Sequence, residues 1–112
     1  MAKSTNPMEW ILRVEMQDGP WDVPVKVIAE NRAASYAEKF GNDLQRSLDE
    51  DTLPLFRQSS YEIADWAANN MNWVDVKAFA VKVTVPPPFI DYEDGWANGE
   101  KEILKPLVSE AN

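Results

Sequence analysis

Two clusters of carboxylates are the places where this sequence brings chemically capable side chains together: Asp49-Glu50-Asp51, and Asp91, Glu93 and Asp94. Carboxylates so grouped could hold a divalent cation, work as an acid–base pair on a glycosidic bond, or imitate phosphates. The first triplet falls at the end of a predicted helix, where consecutive side chains splay around the axis and do not converge on one ion. The second lacks the glycine and terminal glutamate at the offsets of an EF-hand loop. With 19 acidic residues in the chain, carboxylate pairs occur everywhere and none is diagnostic. The four glycines form no phosphate-cradling loop. No catalytic, cofactor-binding or metal-ligating residue is assigned, and no cofactor is expected.

Composition narrows the classes further. The chain has no cysteine and no histidine, which removes disulfides, thiolate nucleophiles and the commonest general base and metal ligand. The reading is that the protein is not an enzyme. A formal net charge of −8 over 112 residues repels a phosphate backbone, so direct nucleic-acid binding is not expected. Acidity serves solubility, or attraction to a basic surface, including one that normally holds nucleic acid. No apolar run reaches the ~20 residues of a membrane span. Met1 to Pro7 is polar and lacks a signal peptide's apolar stretch, so the expected location is the cytoplasm.

The elements that would carry these residues follow from periodicity. Residues 1–7 form a flexible leader, and residues 8–88 a single α+β domain. Met8, Trp10, Leu12, Val14 and Met16 alternate with Glu9, Ile11, Arg13 and Glu15 and predict a strand, which Gln17-Asp18-Gly19-Pro20 ends as a turn. Asp22 is read as the cap of a helix over Val23–Phe40, with Pro24 in its first turn and Gly41 as its left-handed stop. Its buried stripe is Val25, Ile28, Ala29, Ala33, Tyr36, Ala37 and Phe40. Asn42 or Asp43 caps a short second helix holding Leu44 and Leu48, frayed at its end by the acid triplet. Leu53, Leu55 and Phe56 make an apolar plug around Pro54. A third helix spans Tyr61–Asn70, with Ile63, Trp66 and Ala67 buried. Imperfect alternation over residues 76–85 predicts a second long strand.

The predicted fold is therefore β-α-α-α-β, with two long antiparallel strands and the helices packed on one face. Two strands alone are marginal, so either a short extra strand or a homodimer with joined sheets completes it.

After Pro86-Pro87-Pro88, residues 89–112 form an acidic, aromatic C-terminal segment with a short helix around Glu100 to Leu104. Of the five tryptophans, Trp10, Trp66 and Trp73 fall on predicted buried faces, and Trp21 staples the start of the first helix. Trp96 stands in a predicted loop that no periodicity explains. Phe89, Tyr92 and Trp96, with Asp91, Glu93 and Asp94, are the candidate partner-binding residues.

Trp21-Asp22-Val23-Pro24-Val25 opening an alanine-rich helix, followed by Asp65-Trp66-Ala67-Ala68-Asn69-Asn70-Met71-Asn72-Trp73, resembles small uncharacterised proteins of tailed bacteriophages and prophages. The resemblance spans roughly Met8 to Val85. It implies a bacterial host cytoplasm and carries no catalytic residues. The leading expectation is a non-enzymatic accessory protein that binds a host or phage protein. The alternatives are an acidic nucleic-acid mimic that blocks a DNA- or RNA-binding protein, and a small self-assembling, virion-associated component.

Overall fold

The first strand turns back on itself through Gln17-Asp18, and Gly19 makes this possible by adopting φ 104°. In the computed structural model, which describes residues 2–83, 96–105, 107 and 108, that hairpin is the centre of the molecule. Strand β2 (Ile11–Met16) pairs antiparallel with β3 (Gly19–Pro24), Leu12 facing Val23 and Arg13 facing Asp22. The short β4 (Val81–Lys82) joins the outer side of β3, and β5 (Lys101–Leu104) joins β2. The result is an open, four-stranded antiparallel sheet in the order β4-β3-β2-β5. A separate pair, β1 (Ala2–Lys3) and β6 (Leu107–Val108), ties the two ends of the described chain together.

The fold is α+β, with helices on one face of this sheet. Helix α1 (Val25–Tyr36) runs on into a 3-10 turn, Ala37–Phe40, which stops at Gly41 with φ 67°. Its buried residues are Val25, Ile28, Ala29 and Ala33, the first part of the stripe the spacing predicts, whereas Tyr36, Ala37 and Phe40 are only half-buried. They meet Leu12, Val14 and Val23 from the sheet, with Phe56, Ile63 and Ala67 from later helices.

Several elements differ from expectation, each for a physical reason. Asp22 does not cap α1. It lies in β3, where its carboxylate takes two hydrogen bonds from Arg13 at 2.7 and 2.9 Å, and α1 begins after Pro24 without a side-chain cap. The acid triplet does not fray a helix end. Asp43 caps α2 (Leu44–Ser47), which continues through one π turn, Leu48–Thr52, into α3 (Leu53–Gln58). Pro54 would press on the carbonyl of Glu50 in a regular helix, and the wider turn, with the Leu53 N–H reaching Leu48, relieves this. Helix α4 (Tyr61–Asn70) has the predicted bounds.

The long strand expected over residues 76–85 is absent from the described part of that run, residues 76–83. Asn72 and Asp75 form a reciprocal capping box that winds Trp73–Val76 into the helical turn α5, leaving only Val81–Lys82 as strand. The second long strand is instead Gly19–Pro24, which the turn residues disguise. The helix expected at Glu100 to Leu104 is β5. Four strands come from one chain, so completing the sheet needs no second copy. The leader also makes defined contacts: Ser4 and Pro7 are buried, and Asn6 caps a 3-10 turn over Pro7–Glu9.

Candidate functional site

Trp96, expected to contact a partner, is fully buried. Its indole N–H donates to the carbonyls of Ala67 and Met71, and its ring lies 6.2 Å from that of Trp73. Trp73 in turn meets Trp21 edge-on at 5.3 Å. Three tryptophans thus run in series from the hairpin to the C-terminal segment. Trp96 is therefore corrected from contact residue to core residue. Phe89, Asp91, Tyr92, Glu93 and Asp94 lie outside the described residues. Cutting the chain after Pro88 would remove both Trp96 and β5, so truncation cannot isolate a role for that segment.

The hairpin tip holds a partly buried charge centre that sequence reading missed. Asp18 is buried; it accepts from the Trp21 indole N–H at 2.9 Å and pairs with Lys82 at 3.3 Å. Lys82 also donates to the Asp18 carbonyl and stands 5.7 Å from the Trp21 ring. These contacts fasten β4 to the tip of the β2–β3 hairpin.

The triplet Asp49-Glu50-Asp51 is engaged within the chain. Asp51 takes a hydrogen bond from Arg32 at 3.0 Å, Glu50 pairs with Arg46 at 3.0 Å, and Asp49 accepts from Gln45 at 3.0 Å. Among the described residues, no group of three carboxylates could hold a metal ion.

The sheet face turned away from the helices bears a row of alternating charge. Cross-strand neighbours Asp22, Arg13 and Glu102 lie side by side on β3, β2 and β5. The Asp22 hydrogen bonds hold the Arg13 guanidinium above its ordinary pKa, against a smaller opposing effect of burial. At one end of this row a cavity of ≈ 280 Å³ is lined by Arg13, Glu15, Glu100, Lys101 and Glu102. Lys101 donates to the Gly99 carbonyl at 3.0 Å, and burial pushes its pKa down. The cavity is polar, with positive and negative groups interleaved, and among the described residues its lining contains no hydroxyl or thiol nucleophile.

Apolar exposure is concentrated elsewhere. Val74 is 65% exposed, Phe79 54%, Val81 64% and Val83 47%, all in the run from α5 through the edge strand β4. Val81 and Val83 share the outer face of the sheet, since Val81 stands opposite Asp22 and the Val83 N–H donates to Pro20. Apolar alternation over residues 76–85 predicts a strand without saying which of its faces is covered. No family model matches this chain, and no curated protein or solved structure matches it either.

Proposed function

We propose that this protein is a non-enzymatic accessory protein that binds a protein partner, and that Phe79, Val81 and Val83 at the β4 edge are its contact. The observation that carries the reading is the exposure of these side chains on and beside the terminal strand β4 of an open sheet. Isolated exposed apolar residues are ordinary, but a run of them on a sheet edge invites an added strand or an apolar anchor. The partner's chemistry follows from charge: a chain of net −8 favours a basic surface around the apolar contact. The phage resemblance adds a setting, the cytoplasm of a bacterial host, and a host or phage protein as the partner.

Nucleic-acid mimicry is less well supported, because two of the three triplet carboxylates already face arginines of the same chain. A self-assembling component would use the same edge, with a second copy as the occupant.

The test is affinity capture from a bacterial lysate with the full chain and with a Phe79→Ser, Val81→Lys variant. Capture of a basic protein by the parent and its loss in the variant support the proposal. Equal capture by both chains would remove the β4 edge as the contact. Sedimentation that depends on concentration, and on the same two residues, would instead favour self-assembly.

A further inference from the structure

A second cavity, ≈ 320 Å³ in volume, is walled by Lys3, Ser4, Thr5, Trp10, Arg57 and Lys105. Three of the chain's 11 basic residues stand on this one opening, and among the described residues no carboxylate is part of its lining. Among the described residues, ion pairs engage Arg13, Arg32, Arg46 and Lys82, and none engages Lys3, Arg57 or Lys105. Glu9 accepts from the Ser4 hydroxyl and stands outside the lining. In a molecule of net charge −8, three cations without an ion-pair partner among the described residues gather at this one cavity.

The fold gathers them from three separate elements. Pairing of β1 with β6 sets Lys3 opposite Leu107, two residues beyond Lys105. Arg57 is an exposed residue of α3, a helix that buries Leu53 and Phe56. Trp10 forms the floor: its indole N–H donates to the Ser4 carbonyl at 2.9 Å, and the Lys105 ammonium lies 4.4 Å from its ring centre. The indole N–H and the ring face thus hold two walls of the cavity at once.

We propose that this cavity binds the phosphoryl group of a small phosphorylated molecule. Three cations exceed the charge of a single carboxylate and match a doubly charged oxyanion. Arg57 offers a planar fork for two oxygens, while the lysines act as mobile point charges. The volume sits at the lower end of the ~300–1,000 Å³ usual for small-ligand sites. A nucleic-acid backbone would meet the chain's overall negative field, whereas a compact anion meets only this cavity. The site is independent of the proposed docking edge, because β4 and β5 are opposite edges of the sheet and Lys105 follows β5.

The experiment titrates the full chain with inorganic phosphate, pyrophosphate and, separately, succinate, read by calorimetry and by amide shifts in NMR. The variants are Arg57→Gln, Lys3→Gln and, as an exposed lysine outside the lining, Lys77→Gln. Saturable binding of phosphate or pyrophosphate is expected, with shifts at Ser4, Thr5 and Trp10. Arg57→Gln and Lys3→Gln should each weaken it by about tenfold or more, and Lys77→Gln should leave it unchanged. Lys3 and Arg57 are exposed, so both variants should keep the parent's urea midpoint. No saturation at millimolar anion, equal weakening by Lys77→Gln, or succinate binding as tightly as pyrophosphate would each overturn the proposal.

Discussion

The indole N–H of Trp96 sits between the carbonyls of Ala67 and Met71, 3.2 Å from one and 3.1 Å from the other. Ala67 is in the last turn of α4 and Met71 is its C-terminal cap. A helix leaves its final carbonyls without partners of its own, and here a side chain 25 residues further on supplies one. Trp96 is thereby built into the core, even though the acidic composition around it suggested an appendage.

Replacing Trp96 should therefore cost as much as a central core deletion. Trp96→Ala should lose about 3–5 kcal/mol in urea unfolding, from lost burial and the cavity left beside Trp73. Trp96→Phe keeps most of the bulk and removes only the donor, so a loss of about 1–3 kcal/mol is expected. An unchanged unfolding midpoint in the alanine variant would show that the segment is not part of the cooperative unit.

Arg32 offers a second test of how the acid triplet is used. One guanidinium nitrogen donates to both Asp51, at 3.0 Å, and the fully buried Thr52 hydroxyl, at 2.9 Å. The group lies 4.7 Å from the Tyr36 ring centre and 5.8 Å from that of Trp66. Arg32→Ala should cost about 2 kcal/mol or more, since it removes packing and leaves a buried hydroxyl without its donor. Arg32→Lys should recover little of this, because an ammonium lacks the planar group that stacks on Tyr36 and Trp66 while donating to Asp51 and Thr52. Full recovery by lysine would reduce the contact to simple charge attraction.

These two sites show which signals the sequence carried. Where one local rule dominates, reading was sufficient: α4, the left-handed stop at Gly41 and the alternation of Leu12, Val14 and Met16 are as predicted. Where two local rules compete, periodicity misled. Gly19, Pro20 and Pro24 carry turn chemistry, yet they lie in a strand whose pairing with β2 is set by the hairpin. Residues 76–85 carry strand-like alternation, yet the capping box of Asn72 and Asp75 claims the start of that run. The cation cavity was illegible for a different reason. Lys3, Arg57 and Lys105 are far apart in sequence, and only the β1–β6 pairing and the packing of α3 bring them together.

The exposed edge gives a prediction of little change. Val81→Lys and Phe79→Ser remove no buried contact, so each should alter stability by no more than about 0.5 kcal/mol. A lysine on an edge strand also discourages unwanted strand pairing, so the variant chain should be less prone to aggregate. A loss of several kcal/mol would mean that these side chains are covered within the monomer, which would remove the basis for a docking edge.

Lys101 makes the pH dependence specific. Burial pushes its pKa below the usual 10.5, so the charged form is disfavoured in the folded state. The sign follows from proton counting. Between the lowered folded value and 10.5 the unfolded chain binds more protons, so this group's contribution to stability rises with pH across that window. Below the window the unfavourable charge is carried in full. Lys101→Met should accordingly be as stable as the parent or slightly more so at pH 7, despite losing the hydrogen bond to the Gly99 carbonyl. Its advantage should shrink as pH is raised toward 10.5, where the parent's lysine sheds its proton. Urea unfolding of both chains at pH 7, 9 and 10 measures the difference, and a gap that stays constant across that series would rule out Lys101 as its source.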